Sequence, residues 1–96
     1  MMRTEILEIL RRYKEENSKK YGIGHLGIFG SCARDLASEE SDIDVVVETK
    51  EPDIYTLVHI KEELEDLFQK PVDLVRHRET MNPYLKKHIE KDAQYV

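Results

Sequence analysis

Asp42 and Asp44 lie two residues apart in Ser41-Asp42-Ile43-Asp44-Val45. Read as a strand, this segment turns both carboxylates to one face, with their α-carbons about 6.6 Å apart. Carboxylates so placed can lean together onto one or two cations. Magnesium takes carboxylate oxygens and keeps positions open for substrate phosphates. A third carboxylate, Asp73, alternates with apolar neighbours in Val72-Asp73-Leu74. If its strand lies beside the first, it can join the pair. Three anions at one sheet edge repel each other unless a cation sits among them. An ordinary fold has no reason to accept that cost.

Gly30-Ser31 supplies the complementary half. A strand that turns through glycine into a helix opening at serine presents backbone N–H groups to an anion. Arg34 follows three residues later, about one turn on and on the same face. Its guanidinium can take phosphate oxygens in a bidentate manner. An anion cradle and cation-binding carboxylates separated by one loop describe a site for a metal–triphosphate complex.

The elements that must hold these residues can be read from periodicity. Ile6, Ile9, Leu10 and Tyr13 predict a helix over 4–20, with Thr4 as N-cap and Gly22 as a left-handed stop. Ile23, Leu26, Ile28 and Phe29 predict a buried strand over 23–29, in which Gly27 either weakens the strand or marks a close backbone approach. Ser31 is expected to cap a short helix through Ala37, followed by the polar loop Ser38-Glu39-Glu40-Ser41. A strand over 42–48 puts Ile43, Val45 and Val47 on one face and Asp42, Asp44 and Val46 on the other. Pro52-Asp53 opens a third helix bearing Leu57, Ile60, Leu64, Leu67 and Phe68, which Pro71 ends. A short strand follows over 72–75. Asn82-Pro83 opens a last helix with Leu85 and Ile89, and 93–96 is a terminal strand stub. The order α-β-α-β-α-β-α implies an α/β (α+β) fold, a small mixed sheet with helices packed on it.

Size and charge narrow the function. Leu, Ile, Val and Phe make up 26 of 96 residues, above the range of chains that stay disordered. One domain over 1–96 with a modest core is expected, leaving no room for a separate acceptor-binding domain. The longest apolar run, Leu26-Gly27-Ile28-Phe29, is far short of a membrane span, and the N-terminus has no apolar signal region. A single cysteine, Cys32, offers neither a disulfide nor a Cys-rich zinc site, and a cytoplasmic location suits it. The net charge of −5 works against direct nucleic-acid binding, where neutralising phosphate dominates.

Several residues have plainer readings. The Asp42/Asp44 pair could be a solvated strand edge that blocks aggregation. Arg34 and Asp73 could be surface charges. His25, His59, His77 and His88 share no metal spacing and read as structural or exposed. Arg76-His77-Arg78 reads as a solvated turn before it reads as a phosphate or partner contact. Cys32 reads as a small packed residue, and Glu62-Glu63 and Glu65-Asp66 as the wet face of the third helix.

Gly30-Ser31, ten residues, then Asp42-Ile43-Asp44 reproduces the Gly-Ser-x10-Asp-x-Asp pattern of the DNA polymerase beta-like nucleotidyltransferase superfamily. The longer run Gly30-Ser31-Cys32-Ala33-Arg34 resembles its minimal nucleotidyltransferase (MNT) branch, and Asp73 in Pro71-Val72-Asp73-Leu74-Val75 matches the third carboxylate. The resemblance covers nearly the whole chain. It implies the nucleotidyltransferase fold, a small mixed sheet flanked by about four helices. It implies Mg²⁺ or Mn²⁺ at Asp42, Asp44 and Asp73, and ATP phosphates at Gly30, Ser31 and Arg34. It also implies a partner, a HEPN-type toxin whose hydroxyl would receive AMP, so that the chain would act as an antitoxin. The alternative is an antitoxin that masks its toxin by contact alone. The resemblance leaves the oligomeric state open, a homo-oligomer included. Asp35 departs from the glycine often found after the arginine in this branch, which puts the part played by Arg34 in question more than the metal site.

Overall fold

A computed structural model describes residues 1–34 and 42–96. The elements are α1 (Arg3–Tyr21), β1 (Ile23–Ile28), α2 (Gly30–Ala33), β2 (Ile43–Thr49), α3 (Ile54–Phe68), β3 (Val72–Arg76), α4 (Pro83–Asp92) and β4 (Gln94–Tyr95). The strands form one mixed sheet in the order β3-β2-β1-β4. β1 runs antiparallel to β2 and β4, while β2 and β3 are parallel, joined through α3. Among the described residues no helix is long and apolar enough to cross a membrane.

The alternation expected of β2 decides the layering. Ile43, Val45 and Val47 enter the larger core with Leu26 and Ile28 of β1, against Ile6, Leu10 and Tyr13 of α1 and Ile60, Leu64 and Phe68 of α3. Val46 faces the other way, into a smaller cluster with Phe29 and Ile89 that α4 covers. Asp44 shares the Val46 face by the period-two rule. Among the described residues, the buried cluster on this second face is the smaller of the two.

Local chemistry explains most element ends and corrects several. α1 begins at Arg3, with Met2 in place of Thr4 as N-cap, because Glu5 turns back to accept the Met2 backbone N–H at 3.1 Å. Gly22, at φ +66°, ends that helix as expected. α3 is capped by Asp53, which accepts from Tyr55 N–H at 2.9 Å. It ends at Gln69 in the left-handed region, two residues before Pro71. Leu67, expected in the core, is 52% exposed, since it lies off the stripe of Ile60, Leu64 and Phe68. Ser31 is not an N-cap. Phe29 takes that place without a side-chain bond, and the reversal falls at Gly30, whose φ is +65°. The expected extension of α2 to Ala37 and the polar loop after it lie outside the described residues.

Of the two readings of Gly27, the structure bears out the close approach. A β-carbon there would collide with the Gln94 carbonyl of β4. Gly27→Ala is expected to displace β4 and cost about 1–3 kcal/mol, the usual range for overpacking. Urea denaturation checks this.

Candidate active site

β2 and β3 run parallel with Asp44 and Asp73 as direct register partners. Strands so paired lie about 4.8 Å apart, and partners share a face. Asp42 is exposed immediately before β2. Its carbonyl accepts from the buried Cys32 Sγ at 3.7 Å, which ties the start of β2 to α2. Cys32 is thus a packed residue, as read, and burial pushes its thiol up, away from reactivity.

The Gly30 turn abuts this edge. Phe29 N–H donates to the Asp44 carbonyl at 3.1 Å, bringing the end of β1 against the start of β2. A β-carbon on Gly30 would stand 2.5 Å from Asp44 Oδ2. Glycine is therefore required twice here, for its left-handed φ and for the carboxylate beside it. Ser31 follows in the first turn of α2, and Arg34 closes the turn with its N–H on the Gly30 carbonyl at 3.2 Å. The six residues chosen from the sequence thus lie on one edge of the sheet, contributed by the ends of β1 and α2 and the starts of β2 and β3.

Among the described residues, the carboxylates at this edge act on one another. The Asp44 carboxyl is pushed above its ordinary range by burial first, then by the charges of Asp73 and Asp42. The residue opposing this shift is His88, on α4. His88 packs edge-on against Phe29, with ring centroids 6.4 Å apart, and its Nδ1 lies 4.0 Å from Asp92. Sequence reasoning missed both α4 residues. Their i, i+4 spacing was visible, but which face of α4 meets the site was not.

The other histidines and the basic run lie elsewhere. His77 sits between Glu48 and Glu90, at 3.9 and 3.7 Å. Arg76 donates to Thr49 Oγ1 at 2.9 Å, at the far end of β3 from Asp73. Arg76 is thus tied into the sheet rather than solvated, and Glu63 likewise accepts from both Tyr13 and Tyr21 hydroxyls at 2.8 Å instead of lying on a wet helix face.

Among the described residues, no three His, Cys, Asp or Glu side chains form a ready-made metal cage. Magnesium does not need such a cage, since substrate phosphates complete its shell. The donor set still fits a hard divalent cation. It is all oxygen and anionic, and its charge is felt at Asp44 as a raised affinity for protons.

A mixed sheet with an acidic pair opening one strand, a third acid on its parallel neighbour and a Gly-Ser turn beside them defines the nucleotidyltransferase class. The nucleotidyltransferase domain model matches residues 10–96, and the chain belongs to that family. It is 42% identical over 94 residues to a Methanocaldococcus jannaschii protein named as a candidate protein adenylyltransferase, covering 97% of this chain and 96% of that one. It is 33% identical over 93 residues to the Thermococcus cleftensis protein adenylyltransferase MntA, covering 96% and 93%. A solved structure of a candidate minimal nucleotidyltransferase superposes with a TM-score of 0.75 at 31% identity, covering 94% of this chain and 95% of that one. A Shewanella oneidensis complex of a tri-AMPylated HEPN toxin with an MNT antitoxin shares the fold, with a TM-score of 0.72 at 18% identity over 98% and 71% of the two chains. The chain is thus a nucleotidyltransferase with the fold expected from its sequence.

Proposed function

We propose that this chain moves AMP from ATP onto a hydroxyl of a HEPN-type toxin and acts as its antitoxin. The observation that carries the proposal is the in-register pairing of Asp44 with Asp73 beside the Gly30 turn. Curated relatives named as protein adenylyltransferases support the donor chemistry, and the AMPylated toxin complex supports the partner.

In this reading Asp42 and Asp44 would hold two Mg²⁺ or Mn²⁺ ions, and Asp73 one of them. Such ions, when bound, neutralise the attacking and leaving oxygens of an in-line displacement. Gly30, Ser31 and Arg34 hold the β- and γ-phosphates. The acceptor oxygen forms a bond to the α-phosphorus, and the bond from that phosphorus to the α,β-bridging oxygen breaks. Pyrophosphate leaves with the electron pair, and the hydroxyl proton passes to the Asp73 carboxylate. A docked partner would supply both the acceptor and a wall that excludes water. The single buried cysteine suits a reducing cytoplasm.

Incubation with labelled ATP, Mg²⁺ and a cognate HEPN protein is expected to move AMP units onto that protein, detected by the mass increment. Blocked toxicity with all label left on ATP would instead mean masking by contact alone.

A further inference from the structure

The arginine of the phosphate turn is held by the C-terminal helix. Arg34 Nε lies 3.6 Å from Asp92 Oδ2. The two ends of this pair differ in setting, with the Asp92 side chain 11% exposed and that of Arg34 52% exposed. Asp92 is thus the fixed end. It pairs with the guanidinium at Nε, the nitrogen outside the Nη fork that matches phosphate oxygens. The same C-terminal segment also braces the backbone of the turn. Gln94 Nε2 donates to the Ala33 carbonyl at 3.0 Å, and Arg3 Nη1 donates to that oxygen at 3.1 Å.

We infer that Asp92 is a positioning residue for ATP. By fixing Arg34 from behind it presents the guanidinium fork to the terminal phosphates, and Gln94 holds the turn that carries it. The inference rests on the reading of Arg34 as a triphosphate contact.

Two effects of neutralising Asp92 have opposite signs, and this makes the inference testable. Removing a negative charge near the site raises the local potential, which by itself tightens binding of an anionic nucleotide. Removing the anchor lets a long, mostly exposed side chain sample many rotamers, which weakens binding. If Asp92 positions Arg34, the second effect wins.

The test is calorimetry of ATP·Mg²⁺ and of AMP with the wild-type chain, Asp92→Asn, Asp92→Glu, Arg34→Ala and the double variant Asp92→Asn/Arg34→Ala. Thermal melts establish that each is folded. Asp92→Asn is expected to weaken ATP binding about tenfold, the loss of a preorganised charge-assisted contact. It should leave AMP, which lacks the terminal phosphates, unchanged. Asp92→Glu should recover most of the loss, which keeps the test alive if the asparagine variant does not fold. In the Arg34→Ala background, Asp92→Asn should cost nothing further. Unchanged or tighter ATP binding in Asp92→Asn overturns the inference, as does an equal loss in both backgrounds or an equal loss for AMP. Failure of the wild-type chain to bind ATP·Mg²⁺ overturns the nucleotide reading itself, and this inference with it.

Discussion

Asp44→Asn is expected to abolish nucleotidyl transfer while making the protein more stable. The loss of activity should be about 10³-fold or more, the scale on which removing a charge that stabilises the transition state is felt. The gain in stability has a separate origin. Burial and the charges of Asp73 and Asp42 raise the native Asp44 carboxyl above its unfolded value. A group raised in this way contributes stability that is fully present below the unfolded value. That contribution is lost as pH rises through the native value, so at neutral pH the ionised carboxylate is a net cost. Asparagine keeps the shape and removes the charge. Discounted for solvent screening at this partly exposed site, the gain is up to about 1 kcal/mol, or ~4–8 °C in melting temperature for a domain of this size. Mg²⁺ should raise the melting temperature of the wild-type chain and much less that of an Asp42→Asn/Asp44→Asn double variant. The checks are a transfer assay and melts with and without Mg²⁺. A variant that is inactive and less stable would mean that Asp44 is structural.

Gly30→Ala is expected to fail for the opposite reason, by displacing a carboxylate rather than neutralising it. The new β-carbon would stand 2.5 Å from Asp44 Oδ2, on a backbone with φ +65°. The left-handed strain alone costs about 1 kcal/mol. The larger effect falls on function. Asp44 must rotate away or the turn must open, and either separates the phosphate cradle from the acidic pair. A shift of this kind costs about 10²-fold in rate. Denaturation and the transfer assay together read both effects. A second variant, Gly22→Ala, has the same left-handed strain at φ +66° but only ordinary contacts with Lys50, 3.7 Å or more away. It should lose similar stability and keep full activity, which isolates the contact with Asp44.

How much was legible in advance differs by residue. Gly27 could have meant a weakened strand or a close approach, and β4 lying against it decides for the second. Ser31 was misread as a cap, because serine before a helix is a strong local signal. The adjacent glycine took the turn instead, since only glycine tolerates both the dihedral and the nearby carboxylate. Leu67 fitted the apolar pattern of α3 but fell off its buried stripe. The part of the chain that carries Asp35 lies outside the described residues.

The sequence by itself determined which face of β2 Asp44 shares with Val46, because side-chain alternation in a strand is a local, period-two property, while Asp42, expected on the same strand, falls just before it. It likewise determined that a glycine turn with serine and arginine precedes them by one loop. Only the tertiary structure decided that β3 pairs with β2 in parallel, with Asp73 opposite Asp44. It alone decided that α4 returns to bring Asp92 to Arg34 and His88 near Asp44. Those meetings join residues 29 and more positions apart in the chain. They depend on how the crossover through α3 and the return through α4 pack onto the sheet, and no local periodicity encodes that.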